Sequence, residues 1–354
     1  MTQIHRPFRL ALVGPGRIAE AHLEAVTAAS DVAQLIAIAG VPDEIQRTTE
    51  LQQRFGARRS ETTVQAIIEA DDVDAVILTV PNHLHAPLAI PLLEAGKHVL
   101  IEKPLATRTA DALAIAAAAD EHQRVAMVAH CRRFFDGAQA AHRFLSEPGR
   151  GPASTVHYLG VYADHAATAW WKSAADTGGL AIGLNGPHSI DTSIWLTGSR
   201  PVRVYARNLR LRDLWEGEDE ATIIVDFEDG STAVSHLSLN ARPAVNQRWI
   251  NTDAHSLYLE DDRRLRINGE QIVDEATTPY IHGDNGFRSQ LREFLSALAE
   301  GRQPSSSARS TLPVVQVMEA AHLSNTTGLP VELDVSVAGI PSDEGAAPAK
   351  PAVA

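Results

Sequence analysis

The chain has 354 residues, 44% hydrophobic and 21% charged, enough to bury a large core and too apolar for wholesale disorder. Against 44 Asp and Glu stand 31 Lys and Arg, a formal net charge of −13 that argues against nucleic acid or an anionic membrane as partner. The single cysteine, Cys131, allows neither an intrachain disulfide nor a thiolate zinc cluster and points to a reducing, cytoplasmic compartment.

No apolar run approaches the ~18 residues that span a bilayer, and the stretch Leu10 to Gly14 is too short for a signal-peptide core. From the N-terminus, short apolar runs alternate with amphipathic stretches. Leu10–Val13, Leu35–Ile38, Asp74–Val80, His98–Ile101 and Val125–Val128 read as buried strands. Between them, helices are predicted over about Ile18–Ala28, Ile45–Phe55, a segment ending at Leu93, and Thr109–Asp120. Strands without polar alternation, separated by helices, mean βαβ units around a parallel sheet covered on both faces.

After about residue 150 the period changes to two. Val156–Tyr162, Val202–Ala206, Ala221–Phe227, Ser231–Leu239, Ser256–Glu260 and Arg263–Ile267 alternate apolar with polar residues, and Asp229-Gly230 marks a hairpin turn. These predict an antiparallel sheet with one wet face. Helices are expected over Leu184–Leu196, Phe287–Glu300 and Val314–Thr326. The resulting division is a βαβ-built unit over residues 1–129, a second unit carrying the alternating strands over 130–338, and a loose tail over 339–354.

Gly14-Pro15-Gly16-Arg17-Ile18-Ala19 joins the first strand to the first helix in the pattern G-x-G-x-x-A. Gly14 suits the tight turn, Gly16 admits a pyrophosphate to the backbone, and Ala19 lets helix and strand pack closely. The phosphates then face the positive end of the helix dipole, beside the backbone of Arg17 and Ile18. At the end of the second strand, Ala39-Gly40-Val41-Pro42-Asp43 lacks the usual acid or displaces it to Asp43, and Arg47 follows one turn later. The balance tips slightly to NAD over NADP.

Further along come Thr79-Val80-Pro81-Asn82-His83-Leu84-His85, then Glu102-Lys103-Pro104, Trp171-Lys172, Gly178-Gly179, Gly186-Pro187-His188-Ser189-Ile190-Asp191 and Thr327-Gly328-Leu329-Pro330-Val331. This order and spacing resemble the glucose–fructose oxidoreductase / inositol dehydrogenase (Gfo/Idh/MocA) family over nearly the whole chain, Phe8 to Leu333. The resemblance implies a Rossmann domain followed by an α/β domain with a large, mostly antiparallel open sheet that joins homodimers or homotetramers. It implies a nicotinamide cofactor lined by Gly14, Gly16, Arg17, Ile18, Gly40, Pro81, Asn82, His85, Glu102, Lys103, Arg133 and Trp171. It also implies a sugar or polyol contacted by Lys103, Lys172, Asn185, His188 and Asp191, with Lys103 and His188 catalytic.

Each role has a chemical reason. The imidazole of His188, with an ordinary pKa of roughly 6.5, suits a base taking a hydroxyl proton. The Lys103 ammonium suits a developing alkoxide. Asp191, three residues beyond His188, shares its helix face and suits a sugar hydroxyl. Trp170 and Trp171 fit core packing and sugar stacking equally. His157 and His165 have only a background claim, and the scattered His, Asp and Glu form no metal-ligand set.

One departure stands out. Many members of the family carry an aspartate four residues before the histidine, where this chain has Leu184, and a third glycine where it has Leu180. Three activities stay open: a dehydrogenase of a cyclic polyol, sugar or glycoside; an enzyme that cleaves or epimerises glycosides through transient internal redox; and a non-catalytic sensor. The sensor is expected to lack the lysine, which is present.

Overall fold

The protein is described from a computed structural model, which covers residues 6–276 and 285–334. The tail expected over 339–354, and the end of the predicted second domain, lie outside the described residues.

The first sheet has strands β1 (Phe8–Val13), β2 (Ala33–Ala39), β3 (Arg59–Glu61), β4 (Ala75–Leu78), β5 (His98–Ile101) and β6 (Ala126–Val128). They are all parallel, in the order β3-β2-β1-β4-β5-β6, which is the doubly wound sheet the sequence predicts. The alternation of side chains along β1 splits the core in two. Ala11 and Val13 pack under the helices His85–Glu94 and Thr109–Glu121, whereas Leu10 and Leu12 pack under the helix Ala19–Ala28.

The second core face is completed from far along the chain. Phe287, Leu291, Phe294 and Leu295, on the helix Asn285–Glu300, join the cluster of Leu10 and Leu12. Next to it, Ser306 accepts the backbone N–H of Val128 at 2.8 Å, and Ala308 donates to Ala126 at 2.8 Å. The chain therefore returns to the first sheet after building all but the last strand of the second.

The second sheet has nine strands: β7 (Ser154–Tyr162), β8 (Pro201–Leu209), β9 (Glu220–Phe227), β10 (Thr232–Ser238), β11 (Asn240–Asn251), β12 (Ser256–Glu260), β13 (Arg264–Ile267), β14 (Glu270–Asp274) and β15 (Val331–Glu332). Their order is β14-β13-β12-β11-β7-β10-β9-β8-β15. All neighbours are antiparallel except β7 and β10, so the sheet is mostly antiparallel, as expected, with one parallel pair. The hairpin at Asp229-Gly230 joins β9 and β10, with Gly230 at φ +88°.

Sequence reasoning misses β11, although it lies inside the sheet between β12 and β7. It carries Pro243, and its pairing with β7 breaks between Asn240 and Val245, a bulge that accommodates a proline. The helix predicted over Leu184–Leu196 is two helices, Ala181–Leu184 and Gly186–Thr197, meeting at Asn185. That break turns the Leu184 backbone toward the first domain.

Candidate active site

The site lies at the carboxyl ends of the parallel strands, where open α/β sheets bind ligands. Gly14, just past β1, has φ +97°, and a Cβ there would sit 2.7 Å from the Thr79 carbonyl oxygen. Only glycine fits, and the Thr79 hydroxyl locks the turn by donating to the Gly14 carbonyl at 2.6 Å. At Gly16 the nearest atom to such a Cβ is 3.8 Å away, so the backbone is open to a ligand. The helix Ala19–Ala28 begins at Ile18 with no side-chain cap, leaving its first amides available to an anion. Arg17 is exposed and Ile18 half-buried beside them. This cradle fits a dinucleotide pyrophosphate.

At the end of β2, a Cβ on Gly40 would meet Thr48 Oγ1 at 2.8 Å and Glu44 Oε2 at 3.0 Å. Glu44 Oε2 also accepts the Val41 amide at 3.1 Å, so the carboxylate nearest this strand end is Glu44, while Asp43 is exposed. Arg47 is ion-paired with Glu20 across the two helices.

Past β4, Pro81 opens a short turn in which Asn82 is buried and donates to the carbonyls of Thr177 at 2.9 Å and Gly183 at 3.3 Å. Asn82 thus fastens the second domain to the rim of the first. His85 is fully buried, its ring nitrogens 2.7 Å from the Pro104 carbonyl and 3.1 Å from that of Val80. Burial lowers its pKa. It braces the loops after β4 and β5.

Past β5, the Glu102 carboxylate lies 2.9 Å from His22 Nε2 and accepts the Lys103 amide at 3.1 Å. Despite burial, His22 and Lys103 hold it below the usual carboxylate range, so it is ionised. The peptide joining Lys103 to Pro104 is cis. Lys103 Nζ crosses to the second domain and donates to the Leu184 carbonyl at 2.9 Å. Burial lowers the pKa of this ammonium, partly offset by Glu102.

His188 is buried two residues into the helix Gly186–Thr197. Burial first, then the charges of Lys103 and Arg132, push its pKa well below the usual value, leaving a neutral imidazole. Asp191 is equally buried, but both its oxygens are taken by Arg133, Nε at 2.8 Å and Nη2 at 2.5 Å. Arg133 Nη1 donates in turn to the Ser305 carbonyl at 2.9 Å. Asp191 and Arg133, both candidates for ligand contacts, therefore form a bidentate pair that ties the His188 helix to the segment following β6.

Two expectations are not brought to this cluster. Trp171 packs half-buried against the core of the second sheet, edge-on to Trp170 at 6.3 Å, and Lys172 is exposed.

Sequence reasoning overlooked two groups, His130 and Arg248, and gave a third, His157, only a background claim. His130, directly after β6, lies 3.5 Å from Asp191, and burial pushes its pKa down to about 4. His157 is far from a background residue: it is buried, with Nδ1 2.6 Å from Ser189 Oγ and Nε2 2.8 Å from Asn246 Oδ1. Arg248, on the unpredicted β11, donates to Ser193 Oγ at 2.6 Å. Only their adjacency to Arg132-Arg133, or their odd placement inside an apolar strand pattern, could have marked them.

The profile of the oxidoreductase family with an NAD-binding Rossmann fold, Gfo/Idh/MocA, matches residues 8–130, and that of its C-terminal domain matches residues 147–271. The chain is 29% identical over 314 residues to the 4-carboxy-2-hydroxymuconate-6-semialdehyde dehydrogenase of a Sphingobium species, covering 88% of this chain and 96% of that one. It is 28% identical over 351 residues to the D-apiose dehydrogenase of Paraburkholderia graminis, covering 92% and 90%. Its fold matches a levoglucosan dehydrogenase solved with NADH and L-sorbose, with a TM-score of 0.82 at 22% identity over 93% of this chain and 99% of the other. No helix among the described residues is long and apolar enough to cross a membrane. With its glycine cradle, Glu102-Lys103 rim and His188 helix in these positions, the chain belongs to the Gfo/Idh/MocA family of NAD-binding oxidoreductases.

Proposed function

We propose that the protein is an NAD-dependent dehydrogenase that oxidises a secondary hydroxyl of a sugar, cyclic polyol or related hydroxylated acid. The observation that carries this reading is the convergence of Lys103, from the cofactor domain, on the peptide four residues before His188. A bound nicotinamide supplies the hydride acceptor. The neutral His188 imidazole accepts the hydroxyl proton, and the Lys103 ammonium donates a hydrogen bond to the oxygen as charge develops on it. The pair formed by Arg133 and Asp191 holds the His188 helix against the loop after β6.

The names of the relatives support the class and span two chemistries, a neutral pentose and a carboxylated semialdehyde. Glu44 beside Gly40, with Arg47 drawn away to Glu20, supports NAD over NADP. The single buried thiol, Cys131, supports a cytoplasmic location.

The protein acts, in this reading, as a homodimer or homotetramer joined through the open face of the second sheet. Ile224, Val234, Val156, Trp249 and Tyr258 lie directly opposite one another on five neighbouring strands, forming one row. Val156 is 47% exposed, Trp249 40% and Ile224 36%, a contiguous apolar stripe that a second copy would cover.

The test is incubation of the purified protein with NAD or NADP and a panel of inositols, aldoses, glycosides and sugar acids. Stoichiometric NADH supports the reading. Product formation without net NADH would favour transient redox, the reading motivated by a carbonyl rather than a carboxylate at position 184. Absence of both reduction and cofactor binding would overturn it.

A further inference from the structure

The buried charges around His188 do not balance. Among the described residues, the cations reaching this region are Lys103, Arg132, Arg133 and Arg248, and the carboxylates are Glu102, Asp191 and Asp262. Arg133 takes both oxygens of Asp191, and Arg132 Nη1 donates to Asp262 at 2.7 Å. Arg248, fully buried, rests on Ser193 Oγ and on His157 Nδ1 at 3.0 Å, both neutral acceptors. Lys103 Nζ likewise ends on a neutral carbonyl, that of Leu184. Glu102, the remaining carboxylate, turns its oxygens to His22 Nε2 and to the Lys103 backbone amide, so the Lys103 ammonium makes its hydrogen bond to no carboxylate. Four cations against three carboxylates leave one positive charge over, and beside an ammonium largely shielded from water an anion is bound strongly.

A donor lies on the residue next to the one that receives the Lys103 ammonium. Asn185, between the two short helices, follows the carbonyl that receives Lys103, and its Nδ2 is buried without a hydrogen-bond partner. An amide N–H so placed is satisfied by an incoming acceptor oxygen.

We propose that the substrate is an anion carrying a carboxylate close to the carbon that is oxidised, a sugar acid or hydroxy acid rather than a neutral sugar, received by Lys103 and the Asn185 amide. The inference rests on the dehydrogenase reading of the same site and narrows its substrate class. The carboxylate takes no part in the bond changes: the C–H pair leaves as hydride to the nicotinamide, the O–H proton passes to His188, and a carbonyl forms. A surplus of one charge matches a monoanionic carboxylate better than a dianionic phosphate ester.

Matched pairs provide the test. Glucose with glucuronate and galactose with galacturonate are titrated calorimetrically into NADH-loaded protein and assayed for NAD reduction, with glucose 6-phosphate as a third arm. The carboxylate members are expected to bind and react at least tenfold better than their neutral partners. In Asn185→Asp, nearly the same shape with an added negative charge, that preference falls at least tenfold, whereas Asn185→Ala loses only the amide and keeps a preference. Oxidation of the neutral members alone would overturn this inference and leave the dehydrogenase reading standing. Tightest binding by the phosphate ester, or an unchanged ratio in Asn185→Asp, would also overturn it. If NADH binds but no member of any pair binds or reacts, this inference falls, while the dehydrogenase reading stands or falls on the wider panel of inositols and glycosides.

Discussion

Lys103 Nζ donates to the carbonyl oxygen of Leu184 at 2.9 Å, so the rim of the parallel sheet and the start of the His188 helix are held together by one side chain. Residue 184 offers a leucine side chain and no carboxylate, and Lys103 meets its peptide oxygen instead. A neutral acceptor draws no proton from Lys103 and leaves its charge for whatever binds in the cleft. This contact links fold to chemistry, because the helix break at Asn185 exposes that carbonyl.

Lys103→Met should reduce kcat by about 10²–10⁴-fold, the usual scale for losing a positioned proton-transfer or alkoxide-stabilising group. NADH affinity, measured by fluorescence titration, should change little, since the pyrophosphate cradle at Gly14 to Ala19 is remote in sequence and built from backbone. A wild-type kcat would remove Lys103 from the mechanism.

Arg133→Ala should destabilise the protein by about 3–5 kcal/mol, because it strands the Asp191 carboxylate in the interior. Urea unfolding measures this. The double variant Arg133→Met with Asp191→Leu should recover most of the loss, since the two charges leave together. A single variant as stable as wild type would show the pair to be dispensable.

Acid should weaken the fold before it abolishes the base. Burial holds His98 and His130 at about 4, well below an unfolded histidine. Between those values the unfolded chain binds more protons than the folded one, so stability rises with pH across the window and is lost as pH falls from about 6.5 toward 4. Thermal melts across that range should show Tm falling on acidification. His188, also depressed, stays neutral down to well below pH 6.5, so the acid limb of kcat/KM should lie below that of a free imidazole. An acid limb centred on the ordinary histidine pKa would contradict its burial among cations.

Trp249→Glu combined with Val156→Glu should dissociate the assembly, as measured by sedimentation, without altering NADH binding. Two like charges in the middle of the apolar row repel the same pair on a second copy whichever of them it meets. An unchanged mass would place the interface elsewhere.

The first sheet was legible because its strands are short unbroken apolar runs between amphipathic helices, a pattern set by burial on both faces. Gly14 was legible for a similar reason: a left-handed turn pressed against the Thr79 carbonyl admits no other residue. β11 was not, because its outward and inward positions include Arg248 and Asn246, whose burial is compensated by His157 and Asp262 from elsewhere in the chain. Local pattern carries no trace of such partners. For the same reason Asp191 read as a substrate contact: its neighbour Arg133 lies 58 positions away in sequence and reaches it only in the folded chain. The helix Asn285–Glu300 read correctly as a helix, while its return to the first core follows from tertiary packing alone.

The most direct test of the account is single-turnover reduction of NAD by the wild-type protein and by His188→Ala, using whichever hydroxylated substrate the panel identifies. The account predicts one equivalent of NADH per site in the wild type and a rate lower by about 10²–10⁴-fold in the variant, with NADH binding retained. Equal rates in the two proteins, or no NADH from any substrate in a wild type that binds the cofactor, would contradict it.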